Sequence, residues 1–349
     1  NGRRGVIYTI APSPLDIDLI WVGTDDGWIH VSADGGGNWR NVTPPAVTAW
    51  SRITTVEASH FDRDTAWASV DRHQLQDFDP YIYRTRDGGA SWQAINEGLP
   101  AGVYAHVVKE DPMRRGLLFA GTERGVFVSF DAGDHWQTLQ LDLPVTSMRD
   151  FEVYGNDLIV ATHGRGFWVI DDISPLRQLT DDIATADAHL FKPADVVDYQ
   201  QGGDNGTPFQ KGEPQAENPP EGAFIYYWLR SDASGPVTLE ILDEQGRVRQ
   251  TFGSEASAQA RGGRGRGGGR GIPNTSPLWR PEPEPFAATA GMHRVVWNSH
   301  GGGGRGFGGG RGGRGGSQPS PTGTFTARLT VGGQTYSESF TIQADPRTR

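Results

Sequence analysis

The sequence contains no cysteine, which excludes disulfide bonds, thiolate metal sites and thiol catalysis. Lysine is almost as scarce: only Lys109, Lys192 and Lys211 occur, so arginine carries nearly all of the positive charge. The formal net charge of −10 argues against a chain built around nucleic acid. No apolar run approaches the roughly 18 residues of a membrane-spanning helix. The chain begins at Asn1 rather than Met, and we expect a piece of a longer protein or a processed form.

Helical periodicity is scarce as well. Short apolar runs such as GVIYTI, LIWVGT and FIYYWLR alternate with polar residues and are separated by Gly, Pro and Asp. This pattern is typical of short strands joined by turns. The sequence therefore predicts an all-β protein.

An internal repeat organises the first half of the chain. Residues 10–24, 56–70 and 108–122 align without a gap, and a short strand and the motif S/T-x-D-x-G-x-x-W follow each stretch. A fourth unit, residues 157–171, has lost the motif. Four short strands per unit predict a partial β-propeller of about four four-stranded blades, three of them with the motif. We expect the remaining blades upstream of Asn1.

Turn chemistry explains the motif without catalysis. The Asp accepts hydrogen bonds from the turn with help from Ser or Thr, the Gly supplies a positive φ angle, and the Trp packs between blades. Three copies on three blades cannot all be one active site, so the motif is interpreted as structural. Its members are Ser32, Asp34, Gly36, Trp39, Thr85, Asp87, Gly89, Trp92, Ser129, Asp131, Gly133 and Trp136.

The motif resembles the Asp-box, or BNR repeat, of bacterial sialidases, oligoxyloglucan hydrolases and sortilin-type sorting receptors. The phrases WVGTDDGWIHVSADGGGNWRNVTP, PYIYRTRDGGASW and VATHGRGFWVIDDISPLRQL are most similar to large secreted bacterial proteins with sortilin-like propellers. Such proteins are often labelled glycosyl hydrolases on the repeat alone. The resemblance covers about residues 5–180 and implies a secreted, periplasmic or cell-surface protein of which this chain is the C-terminal portion.

Strand order decides where a site can lie. The Asp-box turns share one end of the propeller with the turns between the first and second strands, and we call this the box end. The opposite end, the mouth, receives the turns between second and third strands. There the loop of residues 71–80 in blade 2 is longer than its equivalents in blades 1 and 3. Function concentrates in such loops, although a solvated loop covering a seam between blades is the alternative.

The candidate residues come from these mouth loops. A glycosidase needs two carboxyl groups on either side of the scissile bond. No flanking motif assigns such a pair here, and the candidates are Asp25 and Asp71. Other carboxyls are Asp77, Glu123, Glu57, Glu110 and Asp150, and the Asp25 stretch is also an ordinary hairpin turn. Candidate ligand-binding residues are Asp26, Arg72, His73, Asp77, Arg124, His163, Arg165 and Trp168. His163 has no second ligand at metal-binding spacing, and neither a metal nor a cofactor is predicted.

The last third of the chain has a different pattern. We predict a propeller over residues 1–180, a closing strand and linker over 181–222, and an immunoglobulin-like sandwich over 223–349. The strands are expected at 223–230, 237–243, 248–252, 291–298, 324–331 and 335–343. Two Arg/Gly-rich insertions, 260–271 and 301–316, are predicted to be disordered spacer loops, with contact to an anionic polymer as the alternative.

Two functions from different classes remain. The first is a secreted or cell-envelope binding and scaffold protein that grips a protein segment or a glycan at the mouth. The alternative is a xyloglucanase-like or sialidase-like glycoside hydrolase whose active site is completed by upstream blades. A nucleic-acid partner, which the Arg/Gly-rich tracts alone suggest, is disfavoured by the acidic composition.

Overall fold

The computed structural model describes residues 5–198, 220, 222–254, 286–298 and 322–348. They are almost entirely β-structure and form two compact units, Asn1–Ile173 and Ser174–Arg349. The Arg/Gly-rich insertions 260–271 and 301–316, and most of the predicted linker, lie outside the described residues. Within the described ranges, no helix is long and apolar enough to cross a membrane.

The first unit is a β-propeller segment of four sheets. Blade 1 contains β1 (Ile7–Pro12), β2 (Ile20–Thr24), β3 (Ile29–Ser32) and β4 (Arg40–Asn41); blade 2 contains β5 (Arg52–Ala58), β6 (Ala66–Asp71), β7 (Tyr81–Thr85) and β8 (Gln93–Ala94). Blade 3 contains β9 (Ala105–Glu110), β10 (Leu118–Thr122), β11 (Val126–Ser129) and β12 (Gln137–Thr138); blade 4 contains β13 (Met148–Tyr154), β14 (Asp157–Thr162) and β15 (Phe167–Ile170). The strands of each blade pair in chain order, and the pairs within each blade are antiparallel.

The first strands of the blades lie nearest the propeller axis. A cavity of about 550 Å³ runs between them and is lined by Tyr8, Glu57, His60, Lys109, Asp150 and Glu152, among others. Lys109 Nζ reaches Glu57 Oε2 at 3.1 Å, so blades 2 and 3 are bridged inside this channel. Apolar residues of neighbouring sheets fill the seams between the blades.

The three turns that carry the S/T-x-D-x-G-x-x-W motif are held by one set of hydrogen bonds. The hydroxyl donates to the Asp Oδ1 at 2.7–2.8 Å, from Ser32 to Asp34, from Thr85 to Asp87 and from Ser129 to Asp131. The same hydroxyl accepts from the Gly N–H at 2.8–2.9 Å. Hydrogen bonds hold the pKa values of Asp34 and Asp87 at about 2. The largest contribution comes from the side chain of Asn38 for Asp34 and from that of Ser91 for Asp87. These glycines have φ values of 95°, 84° and 97°, which favour glycine.

Two of the three motif tryptophans form a hydrogen bond with the preceding blade. Trp92 Nε1 donates to the carbonyl oxygen of Val42 at 2.6 Å, and Trp136 Nε1 donates to that of Ile95 at 2.8 Å. Trp39 differs from the expectation that all three pack between blades: it is 44% exposed and donates to Gly36 of its own turn at 3.1 Å. The physical reason is that the described residues contain no blade before blade 1.

A buried carboxylate joins blades 2 and 3 at the box end. Glu110 is 2% exposed, and its Oε2 accepts from the Ser59 hydroxyl and the His60 N–H, both at 2.8 Å. Its Oε1 accepts from the N–H of Gly116 at 3.4 Å. Burial raises the pKa of Glu110 against these hydrogen bonds. Glu110 therefore serves as an interblade staple.

The second unit is a two-sheet sandwich preceded by two short helices, α1 (Ser174–Gln178) and α2 (Asp181–Thr185). Its strands are β16 (Ala188–Leu190), β17 (Val196–Asp198), β18 (Ala223–Leu229), β19 (Val237–Leu242), β20 (Val248–Gly253), β21 (Gly291–Trp297), β22 (Gly323–Val331) and β23 (Gln334–Ala344). The sheets have the orders β16-β18-β21 and β17-β23-β22-β19-β20, and their facing side chains form one core.

The expected domain boundaries differ from the observed division. The sequence predicts a closing strand of the propeller within residues 181–222. In the structure β16 pairs with β18 and β17 pairs in parallel with β23, so these strands belong to the second unit. The propeller segment accordingly ends at Ile173 rather than near residue 180.

Candidate functional site

The strand register defines the mouth. At this end Arg52 is opposite Asp71, Ala105 is opposite Thr122, and Met148 is opposite Thr162. The side chains that follow or precede these paired positions in blades 2, 3 and 4 converge. We call them the mouth cluster; its members are Asp71, His73, Tyr104, His106, Glu123, Ser147 and Arg149.

Blade 2 contributes the imidazole of His73, which Asp71 holds in place. Asp71 is 3% exposed and accepts from the backbone N–H of His73 at 2.9 Å, while its Oδ1 lies 2.6 Å from His73 Nδ1. The imidazole stacks on the Tyr104 ring of blade 3, with centroids 4.8 Å apart and an interplanar angle of 21°. Phe78 lies at the edge of this pair, 6.2 Å from the Tyr104 centroid. The loop therefore builds a half-exposed aromatic platform.

His106 is the buried centre of the cluster. Its Nε2 lies 2.8 Å from Glu123 Oε2 and 3.0 Å from Ser147 Oγ, and its Nδ1 lies 3.3 Å from Arg149. A guanidinium can only donate, so Nδ1 accepts and Nε2 carries the proton that points to Glu123. Burial, together with the nearby Arg149 charge, lowers the pKa of His106 despite the opposing effect of Glu123. The imidazole is therefore neutral near pH 7.

The Glu123 carboxylate accepts hydrogen bonds from three side chains. Burial would raise the pKa of this carboxyl, but hydrogen bonds from His106, Ser147 and Tyr104 outweigh it and lower the pKa. Burial, followed by the hydrogen bond to Glu123, raises the pKa of Tyr104 to about 12. At neutral pH blades 3 and 4 thus present an ionised carboxylate, a protonated phenol and a guanidinium side by side.

Other predicted mouth residues are engaged within their own loops. Arg72 lies 3.2 Å from Asp77 Oδ2 and 5.1 Å from the Tyr81 ring centroid, and the Tyr81 hydroxyl donates to Asp77 at 2.9 Å. These contacts stiffen loop 71–80. Arg72 Nε is nevertheless buried without a hydrogen-bond partner in the described part of the chain, as is Arg52 Nε.

The structure does not bring the blade 1 carboxylates into hydrogen-bond contact with the mouth cluster. Asp25 accepts from the N–H of Val6 at 2.8 Å, and Asp26 accepts from the Thr24 hydroxyl at 2.5 Å. Both side chains thus hold the hairpin turn of blade 1, which was the alternative interpretation of this stretch.

Blades 3 and 4 place the remaining candidates on exposed turns. Arg124, His163 and Arg165 are exposed, whereas Trp168 is half-buried and donates to the Arg165 carbonyl at 2.9 Å. Among the described residues, no three His, Asp or Glu side chains are grouped so as to hold a metal ion.

Four cluster members escaped the sequence analysis: Tyr104, His106, Ser147 and Arg149. Each lies at or just before the start of a first strand, where the repeat alignment shows only a change of residue type. The available signal was the polar or aromatic character of these positions. Tyr104 in blade 3 and Arg52 in blade 2, for example, occupy the same position of the repeat.

Comparisons with known proteins give partial likenesses. No family model matches the sequence. Over 97 residues, 27% of this chain, it is 34% identical to an oligoxyloglucan-reducing end-specific xyloglucanase of Emericella nidulans. The chain spans 11% of the length of that relative.

Solved structures are similar at low identity. YCF48 bound to D1 peptide matches with a TM-score of 0.38 and 20% identity, covering 48% of this chain and 51% of that one. A GH74 xyloglucanase from Xanthomonas campestris matches with a TM-score of 0.39 and 14% identity, covering 64% of this chain and 34% of that one.

Proposed function

We propose that this chain is the ligand-binding part of a β-propeller protein and that the mouth cluster binds a glycan. The observation that carries the proposal is the convergence of seven side chains from three blades around the half-exposed His73–Tyr104 stack. Small-ligand sites combine apolar rings with a few fixed polar groups. Sugar rings stack on aromatic faces while their hydroxyls meet the surrounding carboxylate and guanidinium groups.

One further observation supports this assignment. The curated relative, 34% identical over 97 residues, is named for action on a glycan, xyloglucan. A protein segment is the other occupant that the binding experiment must distinguish.

Isothermal titration calorimetry with xyloglucan oligosaccharides, sialosides and an unstructured peptide library tests the proposal. Tyr104→Ala removes the centre of the platform and should abolish glycan binding. Tyr154→Ala is the matched control, because Tyr154 is a 75% exposed tyrosine at the box end of blade 4. If peptides bind through Tyr104 and glycans do not, or if both variants bind glycans like the parent chain, the glycan assignment is wrong.

Glycan hydrolysis is the second candidate, and one contact favours it. The Tyr104 hydroxyl donates to the Glu123 carboxylate, which places a proton acceptor on the phenol, and a tyrosine replaces the carboxylate nucleophile in some glycosidases. Asp71 is the carboxylate of blade 2 in the same cluster. Reducing-sugar and sialic-acid release by the parent chain, lost in Tyr104→Phe with glycan binding retained, would establish turnover; binding without product release would leave the binding function alone.

The location follows from the ligand. We propose that the protein acts outside the cytoplasm, as a secreted, periplasmic or cell-surface protein, where a polymeric glycan is accessible. Cell fractionation with an antibody against the chain tests this, and a cytosolic pool alone would contradict it.

A further inference from the structure

One large aromatic residue at the mouth does not belong to the mouth cluster. Trp50 lies in the segment that leads from β4 of blade 1 into β5 of blade 2, and its side chain is 41% exposed. Both blades that this segment joins are among the described residues. The exposure of the indole is therefore a feature of the mouth itself.

The backbone of Trp50 has a conformation that favours glycine. Residues 48–51 form a turn in which the Ser51 N–H donates to the Thr48 carbonyl oxygen at 3.1 Å, and Trp50, the third residue of the turn, has a φ of 67°. A turn with a positive φ at its third residue favours glycine there, and a bulky side chain in this region is strained.

The repeat shows that glycine is sufficient at this position. Trp50 precedes the aligned stretch 56–70 by six residues, and Gly102 precedes the stretch 108–122 by the same number. Gly102 has a φ of 70°, so the connection into blade 3 makes the same turn without strain. Strained residues of this kind cluster at ligand sites, where the side chain does more than stabilise the fold.

The turn holds Trp50 against the hairpin of blade 1. The Trp50 N–H donates to the Asp26 carbonyl oxygen at 2.8 Å, and the hydroxyl oxygens of Thr48 and Ser51 are 3.0 Å apart. A Cβ built on Gly27 would lie 2.9 Å from the Thr48 carbonyl oxygen, so the hairpin and the turn are in close contact. A side chain on such a support has less freedom to lose when a ligand binds.

The strand register makes Trp50 a neighbour of the His73–Tyr104 stack. Arg52 of β5 and Asp71 of β6 are paired. Trp50 precedes Arg52 by two residues and His73 follows Asp71 by two residues, so both extend from the same end of strands that run about 5 Å apart. The mouth therefore carries two aromatic surfaces beside each other.

We infer that Trp50 is a second stacking position of the mouth and that the bound glycan spans at least two sugar units, one on Trp50 and one on the His73–Tyr104 stack. The inference rests on the proposed glycan binding and adds the class of ligand, which is an oligosaccharide or polysaccharide chain rather than a single terminal sugar. Each aromatic surface packs against the apolar face of one sugar ring.

Calorimetry with ligands of different length tests the inference. Glucose is compared with a xyloglucan heptasaccharide, and sialic acid is compared with sialyllactose. The longer member of at least one pair should bind the parent chain about tenfold more tightly, the size of one stacking contact, and Trp50→Gly should remove this gain. Trp50→Phe should restore part of it. Trp39→Ala is the matched control, because Trp39 is 44% exposed at the box end.

The outcomes separate this inference from the proposed function. Equal affinities within both pairs, or an unchanged gain in Trp50→Gly, would overturn the inference while glycan binding through Tyr104 stands. If none of these glycans binds the parent chain, the glycan assignment and this inference are both wrong. The melting temperature of Trp50→Gly should stay close to that of the parent, since relief of strain offsets the lost packing. A loss of the folded state in this variant would make Trp50 a packing residue and overturn its assignment.

A second measurement uses the unmodified chain and so does not depend on the folding of a variant. Saturation with the longer glycan that binds should make Trp50 severalfold less reactive toward N-bromosuccinimide, measured by peptide mass spectrometry, and should leave Trp39 unchanged. Unchanged reactivity of Trp50 would contradict a sugar on its ring. Protection by the peptide library and by none of the glycans would make a protein segment the occupant and overturn the inference.

Discussion

Replacement of Trp136 by Ala is expected to weaken the seam between blades 2 and 3. Trp136 is 5% exposed, packs in the core cluster with Ile95 and Leu118, and donates its indole N–H at 2.8 Å. Truncation of a buried Trp costs about 3–5 kcal/mol, to which the lost hydrogen bond contributes about 1 kcal/mol. We therefore expect the free energy of unfolding of the propeller segment to fall by about 4 kcal/mol.

Calorimetry gives a direct measurement. For a unit of this size each kcal/mol shifts the melting temperature by about 2–4 °C, so Trp136→Ala should lower the transition of the propeller segment by about 10 °C. Trp136→Phe keeps most of the apolar contact and should lose only about 1–2 kcal/mol.

Trp39→Ala is the matched control. The residue has the same place in the repeat, but its side chain is 44% exposed, so the expected loss is below about 1 kcal/mol. Equal losses in Trp39→Ala and Trp136→Ala would refute the argument that the preceding blade, rather than the Asp-box turn itself, gives the tryptophan its stabilising effect.

Three further predictions concern the box end and the mouth. Gly133→Ala should destabilise the chain by at least about 1 kcal/mol more than Gly36→Ala in urea unfolding, because both have φ near 95° but only the first Cβ meets a neighbouring blade. Asp87→Asn should remove stability that is present above about pH 4 and lost as pH falls toward about 2, since the pKa of Asp87 is lowered from 3.8 to about 2; acid unfolding followed by circular dichroism measures it. In NMR titrations Arg149→Ala should raise the pKa of His106, because the positive charge of Arg149 lowers it. An unchanged value would contradict the assigned Arg149 contact.

The lowered pKa of His106 also determines how the stability of the folded chain changes with pH. Its pKa is lower in the folded chain than the unfolded value of 6.5. The associated stability is present above about pH 6.5 and is lost as pH falls through the folded pKa. Acid should therefore weaken the contact between blades 3 and 4 as His106 becomes protonated and its Nδ1 can no longer accept from Arg149.

The strands could be predicted from the sequence because their signals are local. In the second unit the six expected strands agree with β18 to β23 within one residue at each end. The Asp-box spacing likewise anticipated where the turns between third and fourth strands lie. The alternation of apolar and polar residues, the turn residues and the register of the repeat can each be recognised from residues that are close together in the chain.

The mouth could be predicted only in part. Asp71 and His73 stood out because they lie in one long loop, but their neighbour Tyr104 comes from the next blade. His106 is recognisable as a centre only after blade 4 brings Arg149 to its Nδ1. Such a cluster depends on the angle between blades, which no short stretch of sequence encodes.

Trp39 is a case in which the sequence motif is present but the predicted packing is not. Its sequence context is that of Trp92 and Trp136, so the repeat predicted the same packing for all three. Packing requires a neighbour, and a repeat pattern specifies the surface without supplying what covers it.

Glu110 links blades 2 and 3, so we expect these two blades to open together. Its carboxyl group accepts from blade 2 and from blade 3 at once, so parting these blades would break its two hydrogen bonds to blade 2. Amide hydrogens of β5 and β9 should consequently exchange with solvent together, through one cooperative opening, while those at the outer edge of blade 4 exchange through smaller openings. We therefore expect the opening of blades 2 and 3 to limit proteolysis within the propeller segment.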